Sequence, residues 1–451
     1  MKAEPESSTT PPDDYLGLNA TLAAAKEAAP WTTYGTVSAV VGNLIEVVGL
    51  EATVGDICRI FPRDEVPPVF AETVGFVGRR LKLSPLSPLR NLAPGDRVAL
   101  DPKSSSCPVS LALLGRVIDG MAQPLDDAGP IADGVPYPLR TPTPNPLTRP
   151  IISHQLDVGI RAINGLLPIG KGQRMGIFAG SGVGKSTLLG MMARYTSAPV
   201  NVIALIGERG REVNEFLESE LGEDGRRRSV VVVATSDQPA TLRVRAAYVA
   251  CAVAEFFRDQ GMDVLFMMDS VTRFAMAARE IGLAAGEPPA TKGYPPSVFG
   301  LLPQLLERAG SFDRATITGI YTVLVEGDDL DDPIADTVRS ILDGHIVLDR
   351  DLAQRRHYPA IHPLKSVSRL TDRILAPDIK GLASRFIEIF ADYKRSEDMI
   401  QIGAYVRGSH PATDYAVQMI DKLNDYLRQP VEERCSIEDA HGALRELFHS
   451  E

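Results

Sequence analysis

Between residues 151 and 373 the apolar positions come in near-continuous runs: Met175 to Phe178, Val200 to Ile206, Val230 to Thr235, Val264 to Met268 and Thr316 to Leu324. Runs without polar alternation suit parallel strands covered on both faces. Between them Leu242, Ala246, Val249, Ala250, Val253 and Phe257 recur at helical spacing, so the pattern predicts an α/β domain with a parallel sheet. Upstream the rhythm differs. Thr36 to Val40, Leu44 to Val47, Ile57 to Ile60, Glu72 to Val77 and Arg97 to Leu100 are short alternating runs broken by Gly and Pro. They predict a small β-barrel or sandwich over residues 31–100. Residues 101–150 form a Pro-rich connection, in which Leu113 to Gly120 should pack on a neighbour and Thr141 to Pro146 should run extended. Beyond residue 374 the strand runs stop. Leu382 to Tyr393, Ala412 to Leu427 and Ile437 to Phe448 carry helical spacing, which makes residues 374–451 a helical domain. Residues 1–30 are rich in Ser, Thr, Pro and acids, then in Ala, and read as a flexible tail or as a docking segment for a partner.

At 451 residues the chain has room for two or three domains. A hydrophobic fraction of 44% with 23% charged residues describes an ordinary globular protein. The net charge of −11 argues against a general electrostatic grip on nucleic acid or anionic lipid. Cys58, Cys107, Cys251 and Cys435 lie far apart with no CxxC pair, which fits a reduced compartment without a structural metal. No stretch approaches the roughly 18 apolar residues of a membrane span, and the N-terminus lacks the basic start of a signal peptide.

The chemistry concentrates after the first apolar run of the α/β region. Ala179-Gly180-Ser181-Gly182-Val183-Gly184-Lys185-Ser186-Thr187 joins that run to a helix-favouring segment, Leu188 to Tyr195. Strand, Gly-rich turn and helix in this order form a phosphate-binding loop, whose backbone N–H groups and helix N-terminus cradle phosphate oxygens. Lys185 is placed to reach the β- and γ-phosphates, and the Ser186 hydroxyl to bind Mg²⁺. The chain therefore binds a nucleoside triphosphate. Asp269 ends the run Val264 to Met268, at the strand end where ligands of parallel sheets collect. It is the candidate metal carboxylate, with a helix N-cap as the plain alternative. Glu208 follows the run Val200 to Ile206 and could hold a water for attack on the γ-phosphate. Spacing alone does not separate it from Glu212.

Further segments carry a resemblance: Gly207 to Glu212, Asp269 to Phe274, Gly286 to Pro289, Lys292 to Phe299, Glu326 to Asp329, Ile341 to Leu348, and Pro359-Ala360-Ile361-His362 followed by Ser366 to Arg369. With the phosphate loop they make the chain from about Trp31 onward similar to the catalytic subunits of rotary ATPases. It resembles more closely the ATPases of type III protein export. That resemblance implies a RecA-like P-loop core between an N-terminal β-barrel and a C-terminal helical domain, assembled as a homohexamer and using ATP and Mg²⁺. It makes Glu208 the residue that activates water, and places Arg209 and Arg273 near the phosphates. Tyr358 would pack on adenine, and Arg369 would be an arginine finger entering the neighbouring subunit's site. Read by themselves, Tyr358 is an ordinary partly buried aromatic and Arg369 a surface ion pair. His362 stands where export ATPases mostly carry Asp, which could make the Arg369 segment sensitive to pH near neutrality.

Within that family, Ala290 to Pro295 and Leu189 to Tyr195 resemble the flagellum-specific export ATPases more than the injectisome ATPases. An ATP synthase subunit fits less well. The implied setting is the inner face of the cytoplasmic membrane, with a membrane export gate, stator-like and stalk-like proteins, and export substrates with their chaperones. A reading from another class is a ring-shaped nucleic-acid translocase, which would call for exposed aromatics on the barrel. The barrel region holds only Trp31, Tyr34, Phe61, Phe70 and Phe76, and the chain is acidic. A catalytically dead structural subunit would lack Lys185 or Glu208.

Overall fold

The computed structural model describes residues 33–63, 67–89, 91–101, 105–141, 145–325 and 332–449. The segment 1–30 with its two readings, Trp31, and the Glu326 to Asp329 motif lie outside the described residues.

The barrel has six strands: β1 (Tyr34–Val41), β2 (Leu44–Val48), β3 (Ile57–Phe61), β4 (Val69–Val77), β5 (Arg80–Pro85) and β6 (Arg97–Leu100). They close in the order β1-β2-β5-β4-β3-β6. Alternation turns Val37, Ile45, Val47, Ile60, Leu81, Leu83 and Val98 into one interior. β5 escaped the sequence pattern, because its alternation Arg80-Leu81-Lys82-Leu83 is short and shares a tight hairpin with β4 around Gly78.

The Pro-rich connection does more than connect. β7 (Ser106–Val109) and β9 (Val135–Pro138) pair as a separate ribbon, while β8 (Val117–Asp119) joins the edge of the large sheet through Val231 opposite Val117. That explains why Leu113 to Gly120 needed a neighbour.

The remaining strands are β10 (Arg174–Ala179), β11 (Val200–Ile206), β12 (Ser229–Ala234), β13 (Val264–Asp269), β14 (Gly310–Ser311), β15 (Thr316–Leu324), β16 (Gly344–Leu348) and β17 (Val367–Ser368). The sheet runs β17-β16-β10-β15-β13-β11-β12-β8, parallel from β16 to β8, with β17 antiparallel at the edge. β14 lies off this path against β15. Successive residues of each strand serve opposite faces, so both must be apolar. Phe178, Val202 and Phe266 pack with the helix Ala240–Asp259 on one side. Ile177, Ile203 and Met267 pack on the other, in a core shared with Phe386, Phe390, Met419 and Leu423 of the helices Pro377–Gln401 and Pro411–Leu427. The C-terminal helices thus continue the nucleotide core.

Candidate active site

Three strand ends and two glycines build the site. β10 ends at Ala179, and the chain then turns back through Gly184, which caps the helix Lys185–Tyr195 in the left-handed region at φ 89°. A side chain there would be strained, and its Cβ would sit 3.4 Å from the Tyr358 ring. β11 ends at Ile206 and leads through Gly207, at φ 74°, to Glu208. A Cβ on Gly207 would come within 2.8 Å of Arg273 Cβ, so the glycine lets the Arg273 helix approach the turn. β13 ends in Asp269 beside β11, which brings Glu208 and Asp269 to neighbouring strand ends.

Lys185 Nζ donates to Asp269 Oδ1 at 2.6 Å and lies 3.6 Å from Glu208 Oε1. Thr322 of β15 donates to the same Asp269 oxygen at 2.7 Å. The helix N-cap reading of Asp269 is not what the chain uses: Ser270 Oγ accepts from Arg273 N and caps the helix Val271–Ala285. Burial opposes the charge on Lys185, yet Asp269 and Glu208 outweigh it and hold its ammonium above the usual lysine range. Burial first, then the Asp269 charge, pushes the Glu208 carboxyl up to about 7. Glu212 is held below its usual range, by Glu208 and by the Arg209 backbone and guanidinium, against a burial effect of opposite sign. Glu208 Oε1 and Arg273 Nε are buried without a hydrogen-bond partner among the described residues. Glu212, besides its interaction with Glu208, pairs with Arg209 at 3.2 Å.

A cavity of about 1190 Å³ opens over these groups, ample for a nucleoside triphosphate. Gly180, Ser181, Gly182, Gly184, Lys185, Ser186, Thr187, Glu208, Arg209, Arg273 and Tyr358 line it. Val183 is buried behind the loop, and Asp269 reaches the cavity through Lys185. Arg369 is exposed and outside the cavity, its Nη2 donating to Arg339 O at 3.4 Å. Lining residues without a sequence signal come from far along the chain. Gln429 and Val431 follow the helix Pro411–Leu427 and line the cavity, and Gln429 N donates to the Tyr358 carbonyl at 3.0 Å. No periodicity or motif marks them; only the packing of the C-terminal helices on the core brings them there.

His362 is partly buried. Burial pushes its pKa down, and its Nδ1 accepts from Lys365 N at 3.3 Å, which needs the neutral ring.

A phosphate loop at the end of a buried parallel sheet, with two carboxylates converging on its lysine and a threonine bonded to one of them, defines a P-loop nucleotide-hydrolase core. Residues 159–368 match the family model of the ATP synthase alpha/beta family, nucleotide-binding domain, and residues 376–446 match that of the T3SS EscN ATPase C-terminal domain. The chain is 51% identical over 419 residues to the "Flagellum-specific ATP synthase" of Bacillus subtilis (strain 168), covering 93% of this chain and 96% of that protein. It is 48% identical to the "Type 3 secretion system ATPase" of Xanthomonas euvesicatoria over 90% and 92% of the two chains. A solved structure of assembled EscN in complex with its central stalk EscO, from the enteropathogenic E. coli type III secretion system, superposes with a TM-score of 0.85. It is 42% identical and covers 92% of this chain and 99% of that one. The chain belongs to the family of flagellum-specific and type III secretion ATPases.

Proposed function

We infer that this chain is a Mg²⁺-dependent ATPase that energises protein export through the flagellar type III apparatus. One observation carries the hydrolytic reading: the buried Glu208 Oε1 makes no hydrogen bond among the described residues and pairs only at 3.6 Å with the phosphate-loop lysine. A carboxylate so placed can order and deprotonate a water while Lys185 holds the β- and γ-phosphates. The flagellar reading rests on the 51% identity to the Bacillus subtilis protein.

Among the described residues no group of three or more His, Cys, Asp and Glu is arranged to hold a metal by itself. That suits Mg²⁺, which arrives on the triphosphate and takes only a hydroxyl and a carboxylate from protein, here Ser186 and Asp269. The ion, when bound, neutralises charge on the β- and γ-oxygens. Lys185 orients the γ-phosphate, Thr322 fixes the Asp269 carboxylate, and Tyr358 with Val431 encloses the base. Arg273 and Arg209, which line the cavity, would meet the phosphates.

Arg369 belongs to the neighbouring subunit's site in this reading, because it is exposed and lies outside its own chain's cavity. The subunits then form a homohexameric ring with a barrel, a nucleotide core and a helical C-terminal domain. Ile402 and Val406, 78% and 70% exposed at the turn after the helix Pro377–Gln401, are the apolar tip on which a stalk would bear. No helix among the described residues is long and apolar enough to cross a membrane. A peripheral place at the cytoplasmic membrane, beside a stator-like protein, an export gate and chaperoned substrates, completes the proposal.

The test is phosphate release from ATP with and without Mg²⁺, with and without added RNA, and rescue of motility in cells lacking their flagellar ATPase. Mg²⁺-dependent turnover indifferent to RNA, with motility restored, is expected. RNA-stimulated turnover without rescue would overturn the export reading.

A further inference from the structure

One buried carboxamide fastens the backbone on which Arg369 sits. Gln173 directly precedes β10 and is fully buried. Its Oε1 accepts from Gly170 N at 2.7 Å. Its Nε2 donates to Asp343 O at 3.0 Å and to Ser368 Oγ at 3.2 Å, with Met175 Sδ also at 3.2 Å. Arg369 N donates to that same Asp343 carbonyl at 3.0 Å, and Ser368 Oγ donates to Pro168 O at 2.7 Å. Asp343 is itself held by its neighbour in sequence to Gln173: Arg174 reaches its carboxylate through N, Nε and Nη2 at 3.1, 3.0 and 3.2 Å.

The two ends of Arg369 are therefore treated differently. Its backbone is locked from beneath, while its side chain is exposed and, among the described residues, makes one long bond, to Arg339 O at 3.4 Å. A planar amide with two donors and one acceptor in fixed directions is suited to set such a backbone, and in a dry setting none of its bonds can be traded for water. We propose that Gln173 is a positioning residue for Arg369, setting the point from which the guanidinium reaches into the neighbouring subunit. The proposal rests on reading Arg369 as the residue that completes the neighbour's site. It competes with a simpler role, because β10 runs straight from Gln173 to the phosphate loop of its own chain.

Mixed rings separate the two roles. Gln173→Met keeps the length of the side chain and removes the amide; Ser368→Ala removes the hydroxyl that the amide holds and serves as the second variant. Each is assembled alone, then 1:1 with Lys185→Ala and 1:1 with Arg369→Ala, with ring formation followed by light scattering. Alone, either variant should lose about tenfold to a hundredfold in kcat with KM for ATP little changed. Mixing with Lys185→Ala should restore activity, since that partner brings an intact finger to an intact loop. Mixing with Arg369→Ala should not, since both partners then lack a placed finger. Restoration by Arg369→Ala, restoration by neither, or full activity of both variants alone overturns the proposal. The control pair Lys185→Ala with Arg369→Ala tests the finger itself; its silence would remove that reading, whatever Gln173 does.

Discussion

Lys185 Nζ and Asp269 Oδ1 are 2.6 Å apart, joining the phosphate loop to the end of β13. The pair is nearly buried, and Glu208 stands 3.6 Å from the same nitrogen. One cation thus serves two carboxylates, and its charge sets the chemistry of both.

Removing that cation should do more than weaken phosphate binding. In Lys185→Ala, ATP affinity should fall by at least about tenfold, as a direct contact to the β/γ-phosphates is lost. Asp269 and Glu208 would then face each other unneutralised, so thermal stability should also drop at pH 8 and recover toward pH 5, where a carboxylate can protonate. Calorimetric titration and melting at both pH values check this. An unchanged melting profile would mean that the carboxylates do not share the lysine.

Glu208→Gln should bind ATP normally and lose about a hundredfold or more in kcat. Near-normal turnover would point to Glu212.

The raised Glu208 pKa also gives a pH signature. In the free enzyme the carboxyl must ionise to act as a base, so kcat/KM should climb as pH passes about 7. Stability should move the other way. A carboxyl raised from 4.5 to about 7 by folding contributes stability that is present below pH 4.5 and lost as pH rises through about 7. Glu208→Gln, which cannot ionise, should therefore melt higher than the parent at pH 8 and close to it at pH 4.5. A variant that melts lower at pH 8 would refute the burial argument.

Tyr358→Ala should raise KM for ATP by roughly tenfold and leave kcat nearly unchanged, because base stacking is a uniform binding contact. Steady-state kinetics with ATP, and competition by inorganic tripolyphosphate, which has no base, check it: inhibition by tripolyphosphate should be indifferent to the change.

How far these groups could be read from the sequence follows from their distance along the chain. The phosphate loop, Glu208 and Asp269 each end an apolar run, so a local pattern exposes them. Thr322 lies inside such a run, in β15, and meets Asp269 only because β15 sits beside β13 in the sheet. Gln429 and Val431 depend on helical packing hundreds of residues downstream. β5 and β8 leave little trace in the sequence for related reasons: one is too short to show its alternation, and the other is an edge strand within a Pro-rich stretch. His362 was legible as a departure, but the burial that lowers its pKa was not.

The stalk contact gives an independent outcome. Replacing Ile402 and Val406 with Glu should leave basal turnover unchanged, as the tip touches no catalytic group, and should abolish stimulation by a coiled-coil stalk protein. Loss of basal turnover instead would assign the tip to folding or ring assembly.

The central claim is that catalysis belongs to the ring, with Lys185 and Glu208 of one subunit completed by Arg369 of the next. The most direct measurement is ATP turnover in rings assembled from equal parts of Lys185→Ala and Arg369→Ala, each nearly inactive alone. A fraction of interfaces should pair an intact loop with an intact finger, and activity should return in proportion to that fraction. No return of activity in well-formed mixed rings, or full turnover by Arg369→Ala alone, would contradict the shared site.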